Sequence, residues 1–331
     1  LPEFAPGDGP VATRAASGKA LRLFAGRIPW LMGGAADLAA STKAVAGEGC
    51  VARADYSPQD VHWGVREHLM CAAATGMALH GGVRPFASTF FIFTDYARPA
   101  IRLAALMRQP VIYLLSHDSI GLGEDGPTHQ PVEHLASFRA MPGVCVLRPA
   151  DANEAVHAWR AALKRTTGPS LLILSRQKLP VLKATATAAA EGVERGAYIL
   201  HREDDDRPDL ILIGSGSEVH LLLAAAETLA SDHQIEARVV SMPCWELFRA
   251  QPKAYRDEVL PPTVQRRLAV EAGASLGWRE WVGPHGEVIG LDRFGASAPG
   301  EVLFRKFGFT AENVVLQAQT LLGISELSAP G

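Results

Sequence analysis

The sequence predicts an α/β protein of two domains, each a mostly parallel sheet flanked by helices. Three observations carry this. Short apolar runs rich in Val, Ile and Leu alternate with Ala-rich segments of helical length, the pattern of βαβ units. The chain has 331 residues, more than one hydrophobic core ordinarily serves. The alternation is interrupted between residues 183 and 208 by an Ala/Thr-rich stretch, the apolar patch Tyr198-Ile199-Leu200 and an acidic turn at 203–206.

Residues 1–11, with three prolines and two glycines, read as a linker remnant. Strands are expected at 30–32, 110–115, 144–147 and 170–174, and then at 210–213, 237–241 and 267–271. Helices are expected at 66–80, 98–107, 153–163 and 219–230. The first domain then spans 12–185, an interdomain linker 186–194 and the second domain 195–331. The chain starts at Leu1 rather than Met, so it is expected to begin inside a longer polypeptide.

Hydrophobic residues make up 48% and charged residues 20%, with a formal net charge of -3. That balance describes a globular protein with no pull toward nucleic acid or an anionic membrane surface. The apolar runs are strand-sized, too short to span a bilayer. Cys50, Cys71, Cys145 and Cys244 are scattered, with no C-x-x-C pair. This argues against zinc or dithiol chemistry and for a reduced, cytoplasmic setting.

The most distinctive stretch is 117–131, which holds His117, Asp118, Glu124, Asp125 and His129 among glycines and prolines. It follows the apolar run at 111–115, and the carboxyl end of a strand is where open α/β sheets bind ligands. Arg176 follows the run at 171–175 in the same way and, with His117 and Arg14, is a candidate for holding an anion. Each arginine taken singly could equally be a solvated surface charge. Phe86, Phe90, Phe91, Phe93 and Tyr96 cluster in a chain with only 7% aromatics. Some of these are core; Phe90, Phe93 and Tyr96, at i, i+3 and i+6, would share one side of a helical stretch and could stack on a flat ring. Glu67 opens an Ala-rich helix after His62-Trp63-Gly64-Val65-Arg66. It is either a helix-dipole partner or a buried acid that shares a proton with a ligand nitrogen. Gly214-Ser215-Gly216-Ser217-Glu218-Val219 begins like a dinucleotide loop, but Val219 stands where the third glycine belongs, and a tight turn suffices. Gly7-Asp8-Gly9 reads as a turn.

These motifs together resemble transketolase, from the linker before its pyrimidine-binding domain through its C-terminal domain, about two-thirds of that protein. The resemblance covers essentially the whole chain. It rests on Gly33-Gly34-Ala35-Ala36-Asp37-Leu38, His62 to Glu67, Ser88-Thr89-Phe90, the 117–131 run and Leu174-Ser175-Arg176-Gln177. The 117–131 run separates it from deoxyxylulose-phosphate synthases and keto-acid dehydrogenase β-subunits; dihydroxyacetone synthase stands nearer. Ala35 and Ala40 depart from residues often Ser and Pro in the family.

The resemblance implies transfer of a two-carbon glycolaldehyde unit from a ketose phosphate to an aldose phosphate on thiamine diphosphate. Glu67 matches the glutamate that hydrogen-bonds a pyrimidine nitrogen. Phe90, Phe93 and Tyr96 match residues around the aminopyrimidine, and Asp37 an acid near the cofactor. Arg14, Ser41, His117 and Arg176 match the phosphate-binding set. Asp125 matches the acid that reads a sugar hydroxyl, and His129 the histidine at the hydroxyl end of the donor. The family's N-terminal domain holds the diphosphate through a divalent metal, Mg2+ or Ca2+, and no usable Gly-Asp-Gly…Asn motif stands here. The expectation is half of an active site, a homodimer through the first domain, and little activity from the chain alone. The rival is a non-catalytic folded fragment or dimerisation module. The parent would serve the pentose phosphate route or reductive carbon fixation.

Overall fold

Two five-stranded sheets organise the chain. The computed structural model describes residues 1–203 and 207–324; Asp204, Asp205 and Asp206 of the expected acidic turn and residues 325–331 lie outside the described residues. The first sheet holds β1 (Leu31–Ala35), β2 (Arg84–Phe90), β3 (Ile112–Ser116), β4 (Cys145–Leu147) and β5 (Ser170–Leu174). Its order is β1-β2-β3-β5-β4 and every pairing is parallel. Its helices are α1 (Thr13–Ala25), α2 (Ala39–Thr42), α3 (Glu67–His80), α4 (Thr94–Leu106), α5 (His134–Arg139), α6 (Ala152–Lys164) and α7 (Thr185–Arg195).

The second sheet holds β6 (Tyr198–His201), β7 (Leu210–Gly214), β8 (Ala237–Ser241), β9 (Arg267–Val270) and β10 (Glu287–Ile289), ordered β10-β9-β7-β8-β6. Only the edge strand β6 is antiparallel. Its helices are α8 (Val219–His233), α9 (Trp245–Arg249), α10 (Lys253–Val259), α11 (Arg279–Val282), α12 (Gly300–Lys306) and α13 (Ala311–Leu322). Among the described residues, no helix is long and apolar enough to cross a membrane.

Both faces of each sheet are covered. Along β3, Ile112 and Leu114 enter one core with Trp159 of α6, while Tyr113 and Leu115 enter the other with Met70 of α3. This period-2 split of a fully apolar strand is what a parallel sheet buried on two faces requires. It is also why the expected strands are found, with ends shifted by up to three residues.

Strands β6 and β10 and helices α1, α2, α5 and α9 to α13 have no counterpart among the expected elements, and three further segments differ from expectation. β2 contains Pro85, Ala87, Ser88 and Thr89, which break the apolar run, yet it is a buried strand between β1 and β3. Ser88 is accommodated because its Oγ donates to the Leu114 carbonyl at 2.8 Å. The expected linker 186–194 is helical: Ala189 and Val193 of α7 are buried in the same core as Ala155 and Trp159 of α6. α7 stops at Gly196, where φ is +89° and a Cβ would lie 2.4 Å from the Cys244 carbonyl. Residues 1–11 pack as an arm along the first domain. Phe4 is buried, its backbone N–H and C=O both bond the Asn153 side chain at 3.1 Å, and Val11 bridges to Leu179.

Candidate functional site

β2, β3 and β5 are adjacent and parallel, so their carboxyl ends lie side by side. In the register Phe90 pairs with Ser116, and Ser116 with Leu174. His117 and Arg176 therefore leave the sheet at one edge, next to Phe90. Arg14 reaches that edge from the start of α1, because Thr13 and Ser175 clasp each other. The Thr13 N–H donates to Ser175 Oγ at 3.0 Å, and the Ser175 N–H donates to Thr13 Oγ1 at 2.7 Å.

These groups form one electropositive cluster. Burial, then Arg14, Arg176 and His129, hold the His117 imidazole down to about 3. Burial and Arg176 lower Arg14 in turn. His117 is thus a neutral hydrogen-bonding ring at pH 7, with Nδ1 2.9 Å from Ser116 Oγ. Cations that disfavour one another's charge in a cleft mark a place where an anion would relieve them.

An aromatic row adjoins the cluster. Phe90 and Phe93 stack at 5.6 Å, and Phe93 meets Tyr96 at 6.3 Å. The i, i+3, i+6 row exists, although Phe90 ends a strand and only Tyr96 lies within α4. Phe90 stacks on His117 at 3.6 Å, and His129 stands edge-on to Phe93 at 5.5 Å. Phe90 is almost fully buried between those rings, Phe93 is half-buried and Tyr96 is 66% exposed. Glu67, the first residue of α3, is buried and accepts a hydrogen bond from Thr89 Oγ1 at 3.3 Å. Thr89 precedes Phe90, so the acid reaches the same end of β2. Burial and then Glu67 push the Cys71 thiol up.

Arg14, His117, His129, Arg176, Phe90 and Phe93 are thus brought together. Ser41 joins through its carbonyl, which accepts from Arg14 Nη1 at 2.6 Å. Asp37, exposed with φ +61°, lines a separate cavity of about 250 Å³ with Asp60, His62 and Gly64. Asp125 is exposed on the 117–131 loop, whose Glu124 carbonyl accepts from Ser297 Oγ at 2.6 Å. A cavity of about 720 Å³ between the two domains shares Arg176 but none of the aromatic row.

Two motifs resolve as structure. Gly7-Asp8-Gly9 lies in a turn closed by Asp8 Oδ2, which accepts from the Ala5 N–H. The Gly214-Ser215-Gly216 turn receives the Arg148 guanidinium, and a Cβ on Gly216 would lie 2.5 Å from its Cζ. Arg148 and Ser116 have no place among the residues expected from sequence, and Thr89 enters only within the Ser88-Thr89-Phe90 motif, without a role. The signal was there: Arg148 follows β4 as His117 follows β3.

A buried acid, an aromatic row and a cationic cluster thus stand together at strand carboxyl ends of an α/β protein, the place where such sheets hold ligands. Residues 9–181 match the family model described as the transketolase pyrimidine binding domain, and 196–310 that of the transketolase-like C-terminal domain. The chain belongs to the transketolase family. A transketolase from Geobacillus stearothermophilus is 54% identical over 324 residues, covering 98% of this chain and 48% of that protein. The structure of transketolase from Leishmania mexicana has a TM-score of 0.91 at 42% identity, covering 100% of this chain and 48% of that one. A Pichia stipitis transketolase complexed with sedoheptulose-7-phosphate has a TM-score of 0.92 at 39% identity, covering 98% and 47%. The chain spans about half the length of the curated relatives it matches, rather than the expected two-thirds.

Proposed function

We propose that this chain is the pyrimidine-binding and C-terminal portion of an enzyme that moves a glycolaldehyde unit from a ketose phosphate to an aldose phosphate. The observation that carries the reading is the cluster of Arg14, His117, His129 and Arg176 beside the aromatic row. A substrate phosphate would supply an anion to that cluster. The residues also fit a flat heteroaromatic cofactor: Phe93 and Tyr96 keep exposed ring surface, and Glu67 is a buried carboxyl group at the same strand end.

In this reading Phe90, Phe93 and Tyr96 pack around the pyrimidine ring, with Asp37 nearby. Glu67 holds a proton at a pyrimidine nitrogen. Thiamine diphosphate, when bound, supplies the carbanion chemistry; the protein supplies orientation and proton control. Arg14, Ser41, His117 and Arg176 bind the substrate phosphate. His129 contacts the hydroxyl end of the donor. Asp125 selects the epimer whose hydroxyl it can pair, since a site built for a hydroxyl rejects its absence. The metal, Mg2+ or Ca2+, belongs with the diphosphate on the portion of the relatives beyond this chain.

A coupled assay with xylulose 5-phosphate, ribose 5-phosphate, thiamine diphosphate and magnesium tests the reading. The full-length parent is expected to turn over, and this chain alone is not. Turnover by the chain alone, or none by the parent, overturns it. The exposed apolar residues of α3 and α4 favour a second reading, in which the chain acts by itself as a dimerisation module. Intact-mass analysis of the source protein separates the two: a mass near 35.3 kDa supports the module.

A further inference from the structure

We propose that Arg148 is a positioning residue for the phosphate end of the site, carrying the second domain's grip through Asp118 to His117. The proposal rests on the phosphate reading of the Arg14–His117–Arg176 cluster and adds what holds it in place.

Arg148 is wholly buried at the carboxyl end of β4. Its Nε and Nη2 donate to Asp118 Oδ2 at 3.1 and 2.8 Å. Its remaining N–H groups turn to the second domain. Nη1 donates to the Ser215 carbonyl at 2.7 Å and to Glu218 Oε2, and Nη2 to Ser217 Oγ at 3.2 Å. The backbone joins in: the Arg148 N–H donates to the Pro243 carbonyl at 2.9 Å, and its carbonyl accepts from the Gly216 N–H at 3.1 Å.

The receiving crevice lies beyond the carboxyl ends of β7 and β9. In a sheet ordered β10-β9-β7-β8-β6, that is the switch point where doubly wound folds bind ligands. Here two arginines of the first domain fill it. Arg139 forks onto Glu271 at 2.6 and 2.8 Å, beside Arg148 on Glu218. Burial pushes Glu218 up; burial would do the same to Glu271, but Arg139 and then Arg148 hold it down at about 2. The glycine-rich turn that resembled a nucleotide loop is therefore a receptor for a guanidinium, and Gly216 lacks a Cβ to let it approach.

The consequence for His117 is geometric. Its φ of +64° is a conformation that residues with a Cβ rarely adopt. Such a backbone persists only where its surroundings over-determine it. Phe90 fixes the ring on one side, and Asp118, clamped by Arg148, fixes the next residue of the chain. The second domain thus sets the aim of a group that the first domain contributes.

The test is titration of this chain with inorganic phosphate, followed at the ring carbons of His117. Arg148→Lys keeps the charge but loses the planar fork, and it can unfold the junction because buried acceptors of Asp118, Ser215 and Glu218 are left without donors. Asp118→Asn keeps the shape and leaves Arg148 on Ser215 and Glu218. Asp118→Asn is expected to keep the wild-type circular dichroism while binding phosphate about tenfold more weakly. Where Arg148→Lys folds, the double variant is expected to bind no more weakly than the weaker single, because both act through one link. Unchanged phosphate affinity in folded Asp118→Asn overturns the proposal, as do additive losses in the double variant. Failure of the wild type to bind phosphate overturns both the proposal and the phosphate reading. In the parent, Asp118→Asn should raise the KM for xylulose 5-phosphate about tenfold with kcat within about threefold. If the parent shows no transfer while the chain binds phosphate with the expected variant pattern, the enzyme reading fails and the positioning role stands.

Discussion

His117 concentrates the residue-scale physics of the site. Its imidazole is held near 3 in the folded chain against an ordinary 6.5, first by burial and then by Arg14, Arg176 and His129. Between those values the unfolded chain binds a proton that the folded chain refuses, so this group's contribution to stability is lost as pH falls from 6.5 toward 3. Urea denaturation at pH 7 and pH 5 should show the drop, and His117→Asn should flatten part of it. An unchanged slope in that variant would mean the ring is not the titrating group. At Glu67 the expectation is kinetic: in the parent, Glu67→Ala should lower turnover at least about 100-fold with a melting shift of a few degrees, read by steady-state assay and calorimetry. His117 and Arg176 are legible in sequence because a strand's end is a topological address that needs no partner. Arg148 occupies the same kind of address, but its partners Asp118 and Glu218 stand 30 and 70 positions away, and no local pattern announces a buried ion network.

At the scale of elements, close approach decides what the sequence permits. A Cβ on Gly33 in β1 would lie 1.8 Å from the Phe86 carbonyl of β2, a contact no side-chain adjustment relieves. Gly33→Ala should therefore destabilise the fold by about 1–3 kcal/mol or more, measured as a lower urea midpoint. The start of α6 supplies a pH-dependent counterpart. Glu154 is fully buried, accepts from Tyr198 Oη at 2.7 Å and Ser241 Oγ at 2.6 Å, and is pushed up to about 7 by burial and then by Asp151. A carboxyl group raised in the folded state contributes stability that is present below its unfolded value of 4.5 and lost as pH rises through about 7. Glu154→Gln should remove that decline across pH 4.5–7 in denaturation curves. If the variant keeps the wild-type slope, Glu154 is already ionised in the folded chain. β3, β5 and β7 are legible as elements because burial on both faces makes them uninterrupted apolar runs. β2 is not, because Ser88 and Thr89 are satisfied by groups 26 and 22 positions away, and α7 is not, because its Ala/Thr composition resembles a linker until α6 offers it a partner.

At the scale of the molecule, one face stands out from the balance of buried cores. Leu103 of α4 is 47% exposed, Leu106 69% and Tyr96 66%, and Leu69 of α3 and Val65 before it are also exposed. Residues 96, 103 and 106 recur at helical spacing, so α4 presents one apolar stripe. Burying a leucine side chain is worth about 1.5–3 kcal/mol, and a contiguous apolar stripe on a water-exposed helix marks an interaction surface. The stripe runs from Tyr96, at the outer end of the aromatic row, so a second copy seated here would also cover the rim of the proposed cofactor site. The expected state is therefore a dimer whose interface and site share an edge. Leu103→Glu combined with Leu106→Glu would set like charges against each other across a two-fold axis, with little effect on the cores because both side chains point to water. Light scattering should find the wild type at twice 35.3 kDa and the double variant at 35.3 kDa, with unchanged circular dichroism. A variant that stays dimeric would place the interface elsewhere, and a monomeric wild type would leave the face for a different partner.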